Sequence, residues 1–164
     1  MAARAGGRRQ VRIRADGHQQ GTRPRAGRGV PLLTAFVDTS AFFALLDRTD
    51  QFHETAKRHL AKYADSEDDL VTHSYVIVET VALAQRRLGP EAAREFLQEL
   101  APVVTTVWVD EPTHQAGVAA LLAALPTHVS FVDYISFEVM REQGISVVFG
   151  FDDDFVAAGF TTTK

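Results

Sequence analysis

LTAFVDTSAFFALL, residues 33–46, is the stretch that decides how the rest of the chain is read. Residues 33–37 form a brief, mostly apolar run of strand length, whose even burial suits a parallel sheet covered on both faces. An acidic corner follows at Asp38. An apolar helix comes next, with Thr39 or Ser40 as its natural N-cap. Asp38 thus stands between two apolar runs, where a lone carboxylate is costly unless it is hydrogen-bonded, paired or bound to a metal. That conflict makes it the first candidate functional residue.

Outward from this stretch, the charge is unevenly distributed. Residues 1–30 hold eight arginines against one acid (+7), while the remainder holds nine Lys/Arg against twenty Asp/Glu (−11), together the chain's −4. The head is rich in Gly, Arg and Ala, lacks aromatic residues and apolar periodicity, and is expected to be disordered. It reads as a solvated tail, a basic arm for nucleic-acid phosphates, or a segment outside the native protein. An alternative start codon at Val30 would produce the last case. Residues 31–164, long enough for one core, form the domain.

The 164 residues contain no cysteine, which excludes disulfides, thiolate metal sites and cysteine nucleophiles and fits a reducing compartment. No apolar run approaches the roughly 18 residues that span a bilayer, and no signal-peptide pattern opens the chain. A cytoplasmic location without membrane attachment is expected.

After residue 46, Asp50 is placed to cap a helix over about 51–64, with Phe52, Ala56, Leu60 and Tyr63 near one face. The acidic run 65–69 reads as a solvated turn, and 70–72 as a short strand. Thr72 or Ser74 then caps a helix that ends near Gly89. A helix over 90–100 has proline in its first turn, and the β-branched run 103–109 predicts a strand. In the helix over 112–125, Ala116, Ala119, Ala120 and Ala123 suggest close packing. A helix from about 131 closes at Gly144, and 145–149 predicts another strand. Strand and helix alternate throughout, which predicts an α/β fold with a central, mainly parallel sheet between helices in three layers. Trp108 and the eleven phenylalanines read as core. The six histidines show no paired metal spacing, so surface or helix-end roles are expected.

Three more acids share the predicament of Asp38. Glu79 interrupts the apolar run 75–84 and should face a polar cleft or a cation. Asp133 has capping-box spacing from Ser130, yet its neighbours Phe131, Val132, Tyr134 and Ile135 predict more burial than a capping acid needs. Asp152 falls just after the strand at 145–149, as Asp38 falls just after the first. Both therefore lie at strand carboxyl ends, where ligand sites of open α/β sheets form. Four carboxylates cannot stay ionised in one cleft without cations. Hard oxygen donors suit Mg²⁺ or Mn²⁺, and the natural chemistry is phosphodiester hydrolysis. Arg86, two helical turns from Glu79, is placed to reach a phosphate, as a solvated arginine near a helix end would also be.

The pieces FVDTSA (36–41), VET (78–80), SFVDYISFEVMREQGI (130–145) and FDDDF (151–155) with Gly159-Phe160 occur in an order that resembles the PIN-domain nucleases, especially the VapC-like toxins of toxin–antitoxin pairs. The resemblance covers about residues 33–160. It implies a parallel sheet of about five strands and Mg²⁺-dependent endoribonuclease activity, often on structured RNA such as tRNA or rRNA. It also implies a small antitoxin partner, and homodimerisation. Asp38, Glu79, Asp133 and Asp152 match the family's metal-binding acids, and Ser40 a hydroxyl that supports the site. Gly150 departs from a common Thr or Ser, and the acidic run 152–154 from a commonly basic middle residue, so Asp154 is a candidate to share the role of Asp152.

Other readings fit less well. A haloacid dehalogenase would carry a second aspartate at position 40, which is serine, and a receiver domain would need a late-strand lysine. A non-catalytic RNA- or protein-binding module keeps the fold, but gains nothing from four acids facing phosphate. A housekeeping RNA-processing nuclease shares the chemistry, and genetic context separates it from a toxin.

Overall fold

The structure, a computed structural model, describes residues 33–66 and 68–163. The expectations for residues 1–30, including a start at Val30, lie outside the described residues. Strand β1 (Thr34–Val37) is followed by helix α1 (Thr39–Leu46), α2 (His53–Asp65), β2 (Asp69–His73) and α3 (Ser74–Arg87). Next come α4 (Pro90–Glu95), a π-helical turn over Phe96–Leu100 and a 3₁₀ turn over Ala101–Val103. The chain continues through β3 (Thr105–Val107), α5 (Glu111–Ala124), α6 (Phe131–Gln143), β4 (Val147–Phe149), α7 (Asp154–Ala157) and β5 (Thr161–Thr162).

The five strands form one sheet in the order β3-β2-β1-β4-β5, every pair parallel. β1 is central, and Ala35, Phe36 and Val37 are fully buried, as its unbroken apolar character predicts. Ala35 pairs with Leu70 on one side and Val147 on the other, which sets both registers. From β1 the chain order runs outward to β2 and β3, then in the opposite direction to β4 and β5. The switch therefore falls between β1 and β4, where a crevice opens beyond the strand carboxyl ends. The Asp38 amide extends the pairing by donating to the Phe149 carbonyl at 3.0 Å.

Several local expectations are corrected. Neither Thr39 nor Ser40 caps α1; Asp38 does, because its backbone is extended and its carboxylate accepts from the Ser40 amide. The cap of α3 is His73, whose Nδ1 accepts from the Tyr75 and Val76 amides, instead of Thr72 or Ser74. Thr72 is taken up elsewhere, its hydroxyl donating to the Val37 carbonyl. Asp50 binds the Phe52 amide in the turn before α2 and is not its N-cap. Helix 90–100 gives way to the π turn at Phe96, which anchors it in the core.

The strand expected over 103–109 spans only 105–107, and Trp108, expected in the core, is 80% exposed beyond the edge strand. In α5 the close approach is made by Gly117, where a Cβ would collide with Ile135 of α6, while Ala119 and Ala123 are exposed. His73 does sit at a helix end but is fully buried. The face of α2 with Phe52, Ala56, Leu60 and Tyr63 packs on the core as expected, and α6 closes at Gly144 in the left-handed conformation.

Candidate active site

The crevice beyond β1 and β4 is a cleft of about 990 Å³ lined by Asp38, Glu79, Asp133 and Asp152, with Asp153, Asp154 and Arg86. All four acids singled out in the sequence are thus brought together, although they come from different elements. Asp38 ends β1, Glu79 rides on α3, Asp133 opens α6 and Asp152 follows β4.

Each side chain is held by a specific contact. Asp38 is buried; its Oδ2 accepts both the Ser40 amide, at 2.9 Å, and the Ser40 hydroxyl, at 2.6 Å. The same hydroxyl accepts from the Phe151 amide at 2.9 Å, so Ser40 ties the exit of β1 to the exit of β4. Gly150 fits beneath this tie: a Cβ there would lie 3.0 Å from the Asp38 Cβ and 3.3 Å from the Ser40 Oγ. Glu79 accepts from the Thr39 hydroxyl at 2.6 Å, a clamp not foreseen because Thr39 read only as a cap. Asp133 completes a capping box with Ser130, its Oδ2 accepting from the Ser130 amide at 3.0 Å. The capping role and the cleft role therefore coexist in one residue. Asp152 accepts from the Asp154 amide at 2.9 Å.

The electrostatics show a shortage of positive charge. Burial raises the pKa of Asp38, against the hydrogen bonds of Ser40 and Thr39, and the Glu79 charge adds to the rise. Burial likewise raises Glu79, with Asp133 contributing. Asp133 is pushed to about 6, first by burial, then by Asp38 and Asp152, against the pull of Ser130. Among the described residues, no salt bridge reaches any of these four acids. The donors are carboxylates and hydroxyls, the set that suits a hard divalent cation. Such an ion would satisfy charges that are otherwise uncompensated. Among the described residues no three His, Asp or Glu side chains are already drawn together tightly enough to hold an ion. An ion held by three of these acids would therefore require their side chains to move closer together.

Two further residues enter the cleft. Arg86 is exposed and lines it two turns beyond Glu79, as the helical spacing predicts; among the described residues it has no ion-pair partner. His128 was not anticipated, since a histidine in the loop LPTHVS carries no periodic or motif signal. Its Nε2 lies 3.0 Å from Asp154 Oδ1. Phe52 and Phe151 stack at 4.4 Å between ring centroids and form part of the wall.

Residues 35–161 match the family model described as the PIN domain. The chain is 37% identical over 130 residues to the 23S rRNA-specific endonuclease VapC20 of Mycobacterium tuberculosis, covering 79% of this chain and 97% of that protein. The crystal structure of that VapC20, a sarcin–ricin loop cleaving toxin, superposes with a TM-score of 0.69 over 77% of this chain and 96% of the other. The DNA-bound VapBC of Salmonella typhimurium, at 15% identity, shares the fold with a TM-score of 0.59, covering 80% of this chain and 97% of that one.

Proposed function

We propose, from the premise that this chain belongs to the PIN-domain family as a VapC-type endoribonuclease, that its acidic cleft hydrolyses an RNA phosphodiester with Mg²⁺ or Mn²⁺. The single observation that carries the reading is the gathering of Asp38, Glu79, Asp133 and Asp152 at the β1/β4 switch point. Three of these are acids whose ionised forms are disfavoured, and none of the four is joined to a cationic side chain among the described residues. The 37% identity to a 23S rRNA-specific endonuclease makes ribosomal RNA the first substrate to test.

Asp38 and Asp133 would be the principal ligands, with Glu79 and Asp152 completing the set; Asp154 is the remaining candidate. A bound divalent cation supplies Lewis acidity, stabilising charge that develops on the phosphate and making water a better nucleophile. The protein's own part is positioning. Ser40 holds Asp38, Thr39 holds Glu79, and the Ser130 box holds Asp133, so each carboxylate is tethered at the cleft by its own hydrogen bond. Arg86 would bind a backbone phosphate away from the acids.

Family membership also supports a small antitoxin protein as partner, homodimerisation and a cytoplasmic site of action. Among the described residues, no helix is long and apolar enough to cross a membrane.

The test is incubation of purified protein with total bacterial RNA in Mg²⁺, Mn²⁺ or EDTA, beside Asp38→Asn, with end-mapping of products. Discrete cuts, within 23S rRNA first, that require both metal and Asp38 are expected. Intact RNA with the wild-type protein and metal would overturn the catalytic reading in favour of a binding module.

A further inference from the structure

We propose that His128 is the residue through which the cleft contacts a ribose 2′-hydroxyl, and that Asp154 is the positioning residue that holds it there. This rests on the reading of the cleft as an RNA-cutting site.

His128 stands in the loop between α5 and α6, with its side chain 85% exposed, yet it lines the same cleft as Asp38, Asp133 and Asp152. It is held at both ends. In the loop, the Thr127 hydroxyl accepts from the Val129 amide at 3.1 Å, and Ser130 opens the capping box that aims Asp133. At the ring, Nε2 meets Oδ1 of Asp154, the first residue of α7, whose side chain is 19% exposed. An exposed histidine with no such partner would sample many rotamers. This one meets a largely buried carboxylate, which favours the rotamer that faces the cleft.

A carboxylate facing Nε2 takes the proton of that nitrogen and leaves Nδ1 for another partner. Among the described residues Nδ1 makes no hydrogen bond. Two classes of group on RNA compete for it. A phosphate is disfavoured at this ring, because the Asp154 carboxylate beside Nε2 offsets any charge on the imidazole and leaves little net attraction for an anion. A 2′-hydroxyl carries no charge and is both donor and acceptor, so it fits Nδ1 in either protonation state. The geometry thus divides the cleft's work, with Arg86 for phosphate and His128 for sugar. Asp154 gives one oxygen to His128, a contact that Asp152 does not share.

The test compares the wild-type protein, His128→Ala, Asp154→Ala and Asp154→Asn in Mg²⁺. The substrates are a synthetic RNA stem-loop carrying the segment that the wild-type protein cuts, and a set of the same RNA with one 2′-deoxy nucleotide at each position around the cut. At one position the deoxy substitution is expected to slow the wild-type protein about five- to tenfold, the loss of one hydrogen bond. His128→Ala should show a similar loss on the all-ribose RNA and no further loss at that position. Asp154→Ala should behave likewise, and Asp154→Asn, which can still accept from Nε2, should keep most of the discrimination. A ribose-to-deoxy ratio unchanged by His128→Ala at every position would overturn the proposal, as would wild-type rates in His128→Ala. Failure of the wild-type protein to cut the all-ribose RNA would remove the underlying reading, and this proposal with it. Melting curves confirm that each variant is folded.

Discussion

At Asp38, the helix cap and the proposed metal-binding role fall on one carboxylate. Oδ2 is taken twice by Ser40, which leaves Oδ1 for the cleft. Asparagine caps helices about as well as aspartate and carries no charge to desolvate. Asp38→Asn should therefore melt no lower than the wild-type protein in EDTA, while cleavage in Mg²⁺ falls at least about 100-fold. A large drop in melting temperature would instead make Asp38 chiefly a structural residue. Ser40 makes the opposite trade. Its hydroxyl receives the Phe151 amide and donates to Asp38, so Ser40→Ala strands a backbone donor and loosens the acid at once. A loss of about 1–3 kcal/mol by denaturant melts is expected, with slower cleavage as well. Unchanged stability would mean that the β4 exit finds another acceptor.

Among the elements, α3 and α6 carry Glu79 and Asp133, and one buried residue joins them. His73 caps α3 through Nδ1, and its Nε2 lies 2.9 Å from the Ser136 hydroxyl of α6. Ser136 in turn donates to the Val132 carbonyl, which leaves Nε2 as the proton-bearing nitrogen. His73→Ala removes a cap, a buried ring and this tie, and should cost about 2–4 kcal/mol by chemical denaturation. A cost below about 1 kcal/mol would show that the helices are spaced by their apolar contacts alone. How much of this was legible depends on what carries the signal. Burial and alternation are written along the chain, so β1, β2, β4 and the long helices were readable, as was each acid set in apolar sequence. Contacts between distant residues are not written there. His73 with Ser136, His128 with Asp154 and Gly117 with Ile135 each join segments far apart in sequence. Trp108 misled because apolar character predicts burial only on average; its edge strand ends one residue earlier, and nothing among the described residues covers it.

On the scale of the whole molecule, an acidic domain must hold an anionic substrate, so its few cations in the cleft matter. Arg86→Ala should weaken RNA binding about three- to tenfold at low salt and flatten the salt dependence, while the metal requirement is unchanged. Equal binding across salt concentrations would remove Arg86 from the RNA path. His73 titrates at about 4 in the fold against 6.5 ordinarily. Between those values the unfolded chain holds the extra proton, and stability falls as pH drops. Asp133 runs the other way: its pKa of about 6, against 3.8, lets the folded protein hold the proton, so its contribution rises as pH drops through the same window. Asp38 and Glu79, also raised by burial, act in the direction of Asp133. In EDTA these acids offset His73. Magnesium binds carboxylates in their ionised form, so an ion held by Asp133 as proposed would oppose its protonation, reduce that offset and leave the slope of His73 exposed. Each uncompensated proton is worth about 1.4 kcal/mol per pH unit. Melting temperatures measured from pH 7 to pH 4 should therefore fall more steeply in Mg²⁺ than in EDTA, with the stabilisation by Mg²⁺ largest at pH 7 and smallest at pH 4. An increment that stays constant across this range would place the bound Mg²⁺ away from the four acids.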